Sequence, residues 1–157
     1  VSNRSENESP SEKIECKTMK KAGCSEISLG FESGCDRILK EMNKKFNRRD
    51  IIRAAGITSD HGIRRMGFLL LGGPGEDRNS VVESLRFIDS LDLEDTMITM
   101  GIRIYPNTEL AKIAYMEGII ESDDDLLFPR FYIAEGIQDW LKKTLDEWTK
   151  DHPGWIM

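Results

Sequence analysis

The stretch Phe68-Leu69-Leu70-Leu71-Gly72-Gly73-Pro74-Gly75-Glu76 decides the fold of this chain. Its first half is an apolar run with no polar face, which is typical of a buried strand, and its second half is a glycine-rich turn. A similar turn, Gly30-Phe31-Glu32-Ser33-Gly34, follows a shorter predicted strand at residues 25–29. Buried strands that lead into such turns predict a parallel α/β sheet with its ligand-binding surface at the turns.

Strand, turn and helix alternate three times along the chain. The predicted strands at residues 25–29, 63–71 and 96–105 are each followed by a stretch with helical spacing of apolar residues. Such alternation favours parallel strands joined by right-handed crossovers. Three units are too few for an eight-stranded barrel, so the sequence predicts either a small open sheet or one part of a larger barrel.

The composition indicates a globular protein and excludes several classes. The 157 residues are 39% hydrophobic and 32% charged, with a net charge of -6, which argues against non-specific binding of nucleic acid. No run approaches the roughly 20 apolar residues of a membrane span, and no secretory signal is visible. We therefore expect a cytoplasmic protein that binds neither membranes nor nucleic acid.

The chain divides into three predicted parts. Residues 1–12 are almost entirely polar and predict a flexible leader, since they cannot bury enough apolar surface to fold. Residues 13–120 hold a first helix, which ends at Gly23, and then the three strand–helix units. In these units Ile51, Ile52, Ala55 and Ile57 are predicted to face inward on the helix at residues 49–61, and Thr108 is predicted to cap the helix at residues 109–117. Residues 121–157 form a C-terminal extension with an acidic loop, a packing helix and a tail at residues 152–155. The packing helix carries one apolar stripe, formed by Ile137, Trp140, Leu141, Leu145 and Trp148.

Neither the cysteines nor the histidines point to catalysis or metal binding. Cys16, Cys24 and Cys35 match no zinc or iron–sulfur spacing. Each is predicted to be a small buried hydrophobe or a bystander. Cys35 is the exception, because it follows a glycine at a predicted helix start, where a thiolate would be favoured. His61 and His152 are predicted surface residues, so we assign no metal ligand, no general base and no catalytic residue.

Three features of the turns and strands could take part in ligand binding. Backbone amides of the Gly72–Gly75 turn can bind a phosphate or carboxylate, although Glu76 and Asp77 equally suit a purely structural turn. Glu32 can accept hydrogen bonds from hydroxyls such as those of a ribose, or cap local backbone groups. Arg103, embedded among apolar residues, must face solvent, a carboxylate or a cavity.

Several motifs in fixed order resemble one enzyme family, the radical S-adenosylmethionine (SAM) enzymes. The motifs, which span residues 14 to about 133, are Lys20-Lys21-Ala22-Gly23-Cys24, Ile27-Ser28-Leu29-Gly30-Phe31-Glu32-Ser33-Gly34, Ile38-Leu39-Lys40-Glu41-Met42-Asn43-Lys44, Phe68-Leu69-Leu70-Leu71-Gly72-Gly73-Pro74-Gly75-Glu76, Arg103-Ile104-Tyr105-Pro106-Asn107-Thr108-Glu109-Leu110 and Glu117-Gly118-Ile119. They are most similar to the C-terminal half of members that carry a cobalamin-binding domain. The resemblance implies an α/β fold, a partial TIM-type barrel that forms the later half of a (β/α)6 barrel, plus a C-terminal helix.

The resemblance also implies site residues and cofactors. In this family a four-iron four-sulfur cluster cleaves SAM reductively to a 5′-deoxyadenosyl radical. Glu32, with Ser33 beside it, resembles the group that contacts the ribose of SAM, and Lys44 resembles the one that meets its methionyl carboxylate. Leu70 and Gly72 are similar to the segment beside the adenine. Arg103 and Tyr105 fall near substrate or cofactor.

One departure limits what the resemblance implies for this chain. The family's CxxxCxxC cluster loop is absent from the sequence, as are the first barrel strands and a cobalamin domain. We therefore expect a fragment of an Fe–S oxidoreductase or transferase that binds SAM weakly or not at all and is inactive alone, with the cluster and cobalamin in a full-length parent. The free edge of the first strand would then pair with the missing half or in a homodimer.

The alternatives to the enzyme fragment are a stand-alone α/β module that binds a nucleotide-like ligand at the two turns, and an interaction domain whose turns are purely structural.

Overall fold

The computed structural model describes residues 10–121 and 124–157, which contain six helices and six strands. The elements in chain order are α1 (Pro10–Lys21), β1 (Glu26–Glu32), α2 (Asp36–Glu41), α3 (Arg48–Asp60), β2 (Arg64–Leu71), α4 (Arg78–Ser90), β3 (Asp95–Met100), β4 (Ile102–Arg103), α5 (Glu109–Met116), β5 (Phe131–Tyr132), α6 (Gln138–Asp151) and β6 (Trp155–Ile156). Helix α1 begins inside the predicted leader; the rest of that leader, residues 1–9, lies outside the described residues.

Polar caps fix where the helices begin. The side chain of Asn47 accepts a hydrogen bond from the Arg49 amide at the start of α3, and Asp77 accepts one from the Ser80 amide at the start of α4. Thr108 caps α5 in the same way, as the sequence predicts. These bonds satisfy amides that the first helical turn leaves without partners.

The main sheet has the order β1-β2-β3-β6, and all three pairings are parallel. A second, two-stranded sheet pairs β4 with β5 antiparallel. The predicted α/β fold with three parallel strand–helix units is thus confirmed. The described strands form an open sheet and do not close into a barrel.

The two faces of the main sheet differ in burial. Along β2, Arg65, Gly67, Leu69 and Leu71 are buried, whereas the alternating residues are only partly buried. The buried face shares one hydrophobic cluster with α4, which includes Val81, Leu85 and Ile88. We call the other side the open face; its residues, matched by strand register, are Ser28, Gly30, Met66, Phe68, Leu70, Met97 and Thr99.

Three local expectations are wrong. Strand β1 runs on to Glu32 through a bulge, so the first three residues of the predicted turn belong to the strand. Ile52, predicted to face inward on α3, is 47% exposed. The predicted tail at residues 152–155 leads into β6 at its last residue, and Trp155 and Ile156 of β6 pair with Thr96 and Met97 of β3. In each case tertiary packing decides the outcome and local pattern does not.

The C-terminal extension both lengthens the sheet and covers part of its end. Strand β6 extends the sheet beside β3, and Leu141 and Leu145 of α6 are buried in the core. The segment after β5 lies on the carboxyl end of β2, where the Ala134 amide donates to the Gly72 carbonyl over 2.8 Å. The predicted packing helix is therefore confirmed.

A stack of three rings holds β6 in place. The His152 ring lies 5.4 Å from the Trp148 ring and 4.3 Å from the Trp155 ring, measured between centroids. Its Nδ1 is 2.7 Å from the Trp148 carbonyl oxygen, and its Nε2 is 2.9 Å from an Asp89 carboxylate oxygen. Because both ring nitrogens face acceptors, the geometry favours the doubly protonated imidazolium.

We expect this stack to make the stability of the protein depend on pH. Partial burial lowers the pKa of His152, but the hydrogen bonds to Trp148 and Asp89 outweigh it, so the pKa lies above its usual value. A raised folded-state pKa stabilises the fold below the unfolded pKa, and this contribution is lost as the pH rises through the folded pKa. His152→Gln should therefore cost about 1 kcal/mol at acidic pH and little at alkaline pH in denaturant unfolding.

An NMR titration of the His152 ring measures the same effect directly. Asp89→Asn should lower the measured pKa, because it removes the carboxylate that faces Nε2. A His152 pKa at or below that of a free histidine in the unmodified protein would contradict the assignment.

None of the helices within residues 10–121 and 124–157 combines the length and apolar character that a membrane span needs.

Candidate functional site

The candidate site lies where the parallel strands end. Strands β1, β2 and β3 end at Glu32, Leu71 and Met100, and parallel pairing brings these carboxyl ends together at one end of the sheet. We call this end of the sheet the carboxyl edge. Ligands of parallel α/β proteins bind at this carboxyl edge. Both glycine turns singled out from the sequence leave the sheet there.

The Glu32 carboxylate lies on the open face, beside Gly30. The register shifts between Gly30 and Glu32, and Glu32 has a φ of 61°, in the left-handed region. Its carboxylate folds back over Gly30, where Oε1 lies 3.3 Å from the position that a Cβ would take. A Cβ at position 30 would crowd the Glu32 carboxylate, so glycine leaves room for the carboxylate here.

Lys44 meets Glu32 from the end of α2. Asn43, with a φ of 57°, turns the chain out of the helix, and the Lys44 amide then donates to the Leu39 carbonyl over 2.9 Å. The Lys44 ammonium forms an ion pair with Glu32 Oε2 and lies 5.7 Å from the centre of the Phe46 ring. The two side chains are 27% and 20% exposed, so the pair is partly shielded from water. The structure thus brings together two residues that the sequence analysis assigned to separate contacts.

Ser33 and Gly34 fasten the first turn to α4. Ser33 is fully buried, and its hydroxyl lies 3.1 Å from that of Ser84. The Ser84 hydroxyl also accepts the Gly34 amide over 3.0 Å. Ser33 therefore positions the turn that carries Glu32. The sequence holds no signal for the Ser84 partner, because 51 residues separate the two serines.

The second turn is held by the protein's own carboxylate. Glu76 Oε2 accepts the amides of Gly72 and Gly73, the latter over 3.0 Å. Burial raises the pKa of Glu76 to about 6, against the opposing effect of these two amides. Glu76 thus occupies amides that the sequence analysis offered to an anionic ligand, which favours its structural alternative for this turn.

Arg37 of α2 ties the second turn to the first. Its guanidinium donates to the Gly75 carbonyl over 2.8 Å and forms ion pairs with Glu41 and Asp77 at 3.2 and 3.3 Å. Helix α2 therefore holds one turn through Arg37 and leads to Lys44 at the other. Sequence reasoning missed Arg37, since a basic residue in a short helix is an ordinary surface feature.

Leu70 and Gly72 differ in position and burial at the carboxyl edge. Leu70 is partly buried on the open face, next to Thr99. Gly72 is buried, with Ile133 Cγ2 3.2 Å from the position of a Cβ. Of these two residues, only Leu70 presents a side chain on the open face.

Arg103 and Tyr105 lie at the exposed end of the second sheet. The Arg103 guanidinium carbon is 4.8 Å from the centre of the Tyr105 ring, and Arg103 pairs with Phe131 across the strands. Both residues are exposed, and Arg103 forms no ion pair with any residue within 10–121 and 124–157. The sequence predicts that Arg103 faces solvent, a carboxylate or a cavity, and in the structure it faces solvent.

The cysteines stay apart. Cys16 lies on α1, Cys24 before β1 and Cys35 at the start of α2. Cys35 is buried, as the first prediction has it, and burial raises the pKa of its thiol, which disfavours the alternative of a thiolate. In the described ranges no group of three or more His, Cys, Asp or Glu side chains is arranged to hold a metal.

Comparison with known proteins places the chain in a family. The sequence model of the radical SAM superfamily matches residues 7–88, which is more than half of the chain. An uncharacterised methyltransferase of Pyrococcus horikoshii is 29% identical over 104 residues, 66% of this chain and 22% of that protein. A Methanocaldococcus jannaschii protein provisionally named a methylthiotransferase is 32% identical over 87 residues, 55% of this chain and 19% of that protein. The chain spans about a fifth of the length of these relatives.

The fold is also that of a solved radical SAM structure. The radical SAM methyltransferase TsrM from Kitasatospora setae, with cobalamin and a [4Fe-4S] cluster bound, superposes with a TM-score of 0.74. The match covers 95% of this chain and 36% of TsrM at 18% identity, and therefore shows a shared fold. The open sheet thus corresponds to part of a radical SAM barrel. Together with the family match, this makes the chain a member of the radical SAM superfamily.

Proposed function

We propose that this chain forms one wall of a SAM site in a radical SAM enzyme. The observation that carries the proposal is the Glu32–Lys44 ion pair, which lies beside Gly30 at the carboxyl edge of a family-matched parallel sheet. The pair presents a carboxylate and an ammonium side by side. SAM carries ribose hydroxyls that suit the first and a carboxylate that suits the second.

Each predicted site residue has a role in this proposal. The Glu32 carboxylate accepts hydrogen bonds from the ribose hydroxyls, and the Lys44 ammonium turns from Glu32 to the methionyl carboxylate. Leu70 provides an apolar contact for the adenine on the open face. Ser33 and Gly72 hold the two turns in position, and Arg103 and Tyr105 face the substrate side of the edge. Partial burial of Glu32 and Lys44 strengthens these polar contacts relative to fully exposed ones.

The iron–sulfur cluster does not fit the residues described. Its thiolate ligands require clustered cysteines, and Cys16, Cys24 and Cys35 are not brought together. In the full enzyme the cluster would supply the electron that cleaves SAM to a 5′-deoxyadenosyl radical. We propose that the cluster is held by another stretch of the enzyme and that this chain alone does not catalyse the reaction.

Methyl transfer with the help of cobalamin is the reaction class that we propose for the full enzyme. The support is the methyltransferase name of the Pyrococcus horikoshii relative and the fold shared with TsrM. The chemistry would need groups beyond this chain, whose contribution is to bind and orient SAM.

The edge of β1 is the proposed contact with the rest of the barrel. Among the described strands, β1 pairs only with β2, so its second edge is available for a further parallel strand. We propose that the remaining barrel strands join there. In their absence the same edge would pair two copies of this chain.

Calorimetric titration with SAM tests the proposed site. We expect saturable binding with a dissociation constant on the order of 1 mM, and at least tenfold weaker binding for Glu32→Gln and for Lys44→Met, equivalent to about 1.4 kcal/mol. Glu26→Gln and Lys45→Met are matched controls, because Glu26 lies at the amino end of the same strand and Lys45 bonds to Asn43 instead. Circular dichroism confirms that the variants fold.

Two results would contradict the proposed site. One is no saturable heat up to about 10 mM SAM. The other is equal binding by the site variants and the two controls.

A further inference from the structure

Positive charge is concentrated on one part of an acidic chain. The net charge is -6, yet residues 37–49 contain six basic residues and one acidic residue. In the fold this segment runs from α2 into α3. The segment contacts α4 through Arg48, which forms an ion pair with Glu83 of that helix at 2.8 Å.

Two adjoining grooves carry this charge. Lys40, Phe46 and Arg49 line the first groove. Arg78, Arg86 and Phe87 line the second. The grooves meet at Arg48, which lines the second and whose amide donates to Asp36 of the first over 2.9 Å. We call these six lining residues, Lys40, Phe46, Arg49, Arg78, Arg86 and Phe87, the basic surface.

The cations of the basic surface have no acidic partner within the described ranges. Lys40, Arg49, Arg78 and Arg86 are exposed, and none forms an ion pair with another residue of the described ranges. Other arginines of the chain are neutralised, such as Arg37 by Glu41 and Arg64 by Asp95 at 2.6 Å. Exposed cations without counter-charges on an acidic protein create a local field opposite in sign to that of the whole.

Aromatic rings lie beneath two arginines of the grooves. The Arg78 guanidinium carbon is 5.4 Å from the centre of the Trp140 ring. Phe87 is buried, and the Arg48 guanidinium carbon lies 4.6 Å from the centre of its ring. Phe46 is partly exposed in the other groove. A surface of separated guanidinium groups over apolar rings suits carboxylates on short side chains, which arginine binds with two parallel hydrogen bonds.

We propose that the basic surface is a docking site for an acidic protein partner. The complementary partner presents Asp and Glu side chains along a ridge that enters the two grooves. Nucleic acid fits less well, because a duplex would bring a continuous polyanion close to a chain whose net charge is -6. Lys44 of the proposed SAM site also lines the first groove, but none of the six residues of the basic surface is assigned to SAM. The test below changes only Arg78 and Arg86 of the second groove, so the two proposals can fail separately.

An NMR titration with poly-L-glutamate as the acidic probe tests this proposal. We expect shifts of the backbone amides around residues 40–49 and 78–90, and a loss of affinity of more than tenfold between about 50 and 300 mM salt, because exposed charges are screened. The double variant Arg78→Glu/Arg86→Glu should bind at least tenfold more weakly.

The control is Lys142→Glu/Lys143→Glu, which makes the same change of net charge at exposed positions of α6. It should alter the affinity less than twofold. Equal losses in both double variants would overturn the proposal, because net charge alone would then explain the binding.

Other partners give different results. Tighter binding of duplex RNA than of poly-L-glutamate would overturn the proposal in favour of nucleic acid. Self-association that Arg78→Glu/Arg86→Glu abolishes in analytical ultracentrifugation would overturn it in favour of a second copy of the chain.

Discussion

Replacing Gly34 by alanine is expected to destabilise the protein by about 2–3 kcal/mol. A Cβ at this position would lie 2.7 Å from Phe87 Cδ1 and 2.9 Å from Ser84 Cα. Both neighbours are buried, so neither can move aside without opening the core between the first turn and α4. The shift would also strain the hydrogen bond from the Gly34 amide to Ser84. Urea unfolding followed by circular dichroism measures the effect.

Gly56→Ala is the matched control for this prediction. The substitution is chemically identical, but no atom lies within 4 Å of the Cβ position at Gly56. Because Gly56 lies inside α3, alanine should stabilise the protein by up to about 1 kcal/mol. Effects of the same sign at the two positions would contradict the packing that we describe around Gly34.

Glu94→Gln is expected to destabilise the protein by about 2–3 kcal/mol, because it leaves the Arg65 guanidinium buried without a counter-charge. Arg65 is 7% exposed. Its Nε and Nη2 each donate to Glu94 over 3.0 Å, and its Nη2 also donates to the Asp92 carbonyl over 2.6 Å. The control is Glu109→Gln, whose pair with Lys112 is exposed and should be worth less than about 0.5 kcal/mol.

The Arg65–Glu94 pair should make the stability of the protein depend on pH in the acidic range. Hydrogen bonds from Arg65 hold the pKa of Glu94 below its usual value. A depressed folded-state pKa stabilises the fold above the unfolded pKa, and this contribution is lost as the pH falls through the folded pKa. The difference in unfolding free energy between the unmodified protein and Glu94→Gln should therefore shrink in acid. A difference that stays constant down to strongly acidic pH would contradict the pairing.

Much of the fold follows from local patterns in the sequence. The apolar run before Gly72 predicts β2 because a strand buried in a parallel sheet needs no polar face. The predicted cap at Thr108 and the predicted helix end at Gly23 are also found, since both depend on the chemistry of one residue. Such signals act over a few positions and do not depend on the rest of the chain.

The remaining features depend on residues that are distant in sequence. Gly30 predicts a turn, yet pairing with β2 keeps the chain extended through the bulge to Glu32. Trp155 belongs to a tail by its composition, and only the edge of β3 makes it a strand. The resemblance to a family identifies Glu32 and Lys44 separately. Their contact is made where Glu32 and Asn43 both have left-handed backbone conformations, which no spacing rule predicts.

The last two strand residues, Trp155 and Ile156, also decide what kind of assembly this sheet can enter. Strand β6 covers only Thr96 and Met97 of β3 and is itself the second edge of the sheet, so the sheet has a seven-residue edge at β1 and a two-residue edge at β6. A strand as short as β6 offers little backbone for pairing, so two copies that meet edge to edge would join at β1 and form a closed pair. Without β6 the backbone of Thr96 and Met97 would be exposed as well, and the longer β3 edge of one copy could pair with β1 of the next, which would allow growth into a filament. The short final strand thus disfavours head-to-tail growth of the sheet.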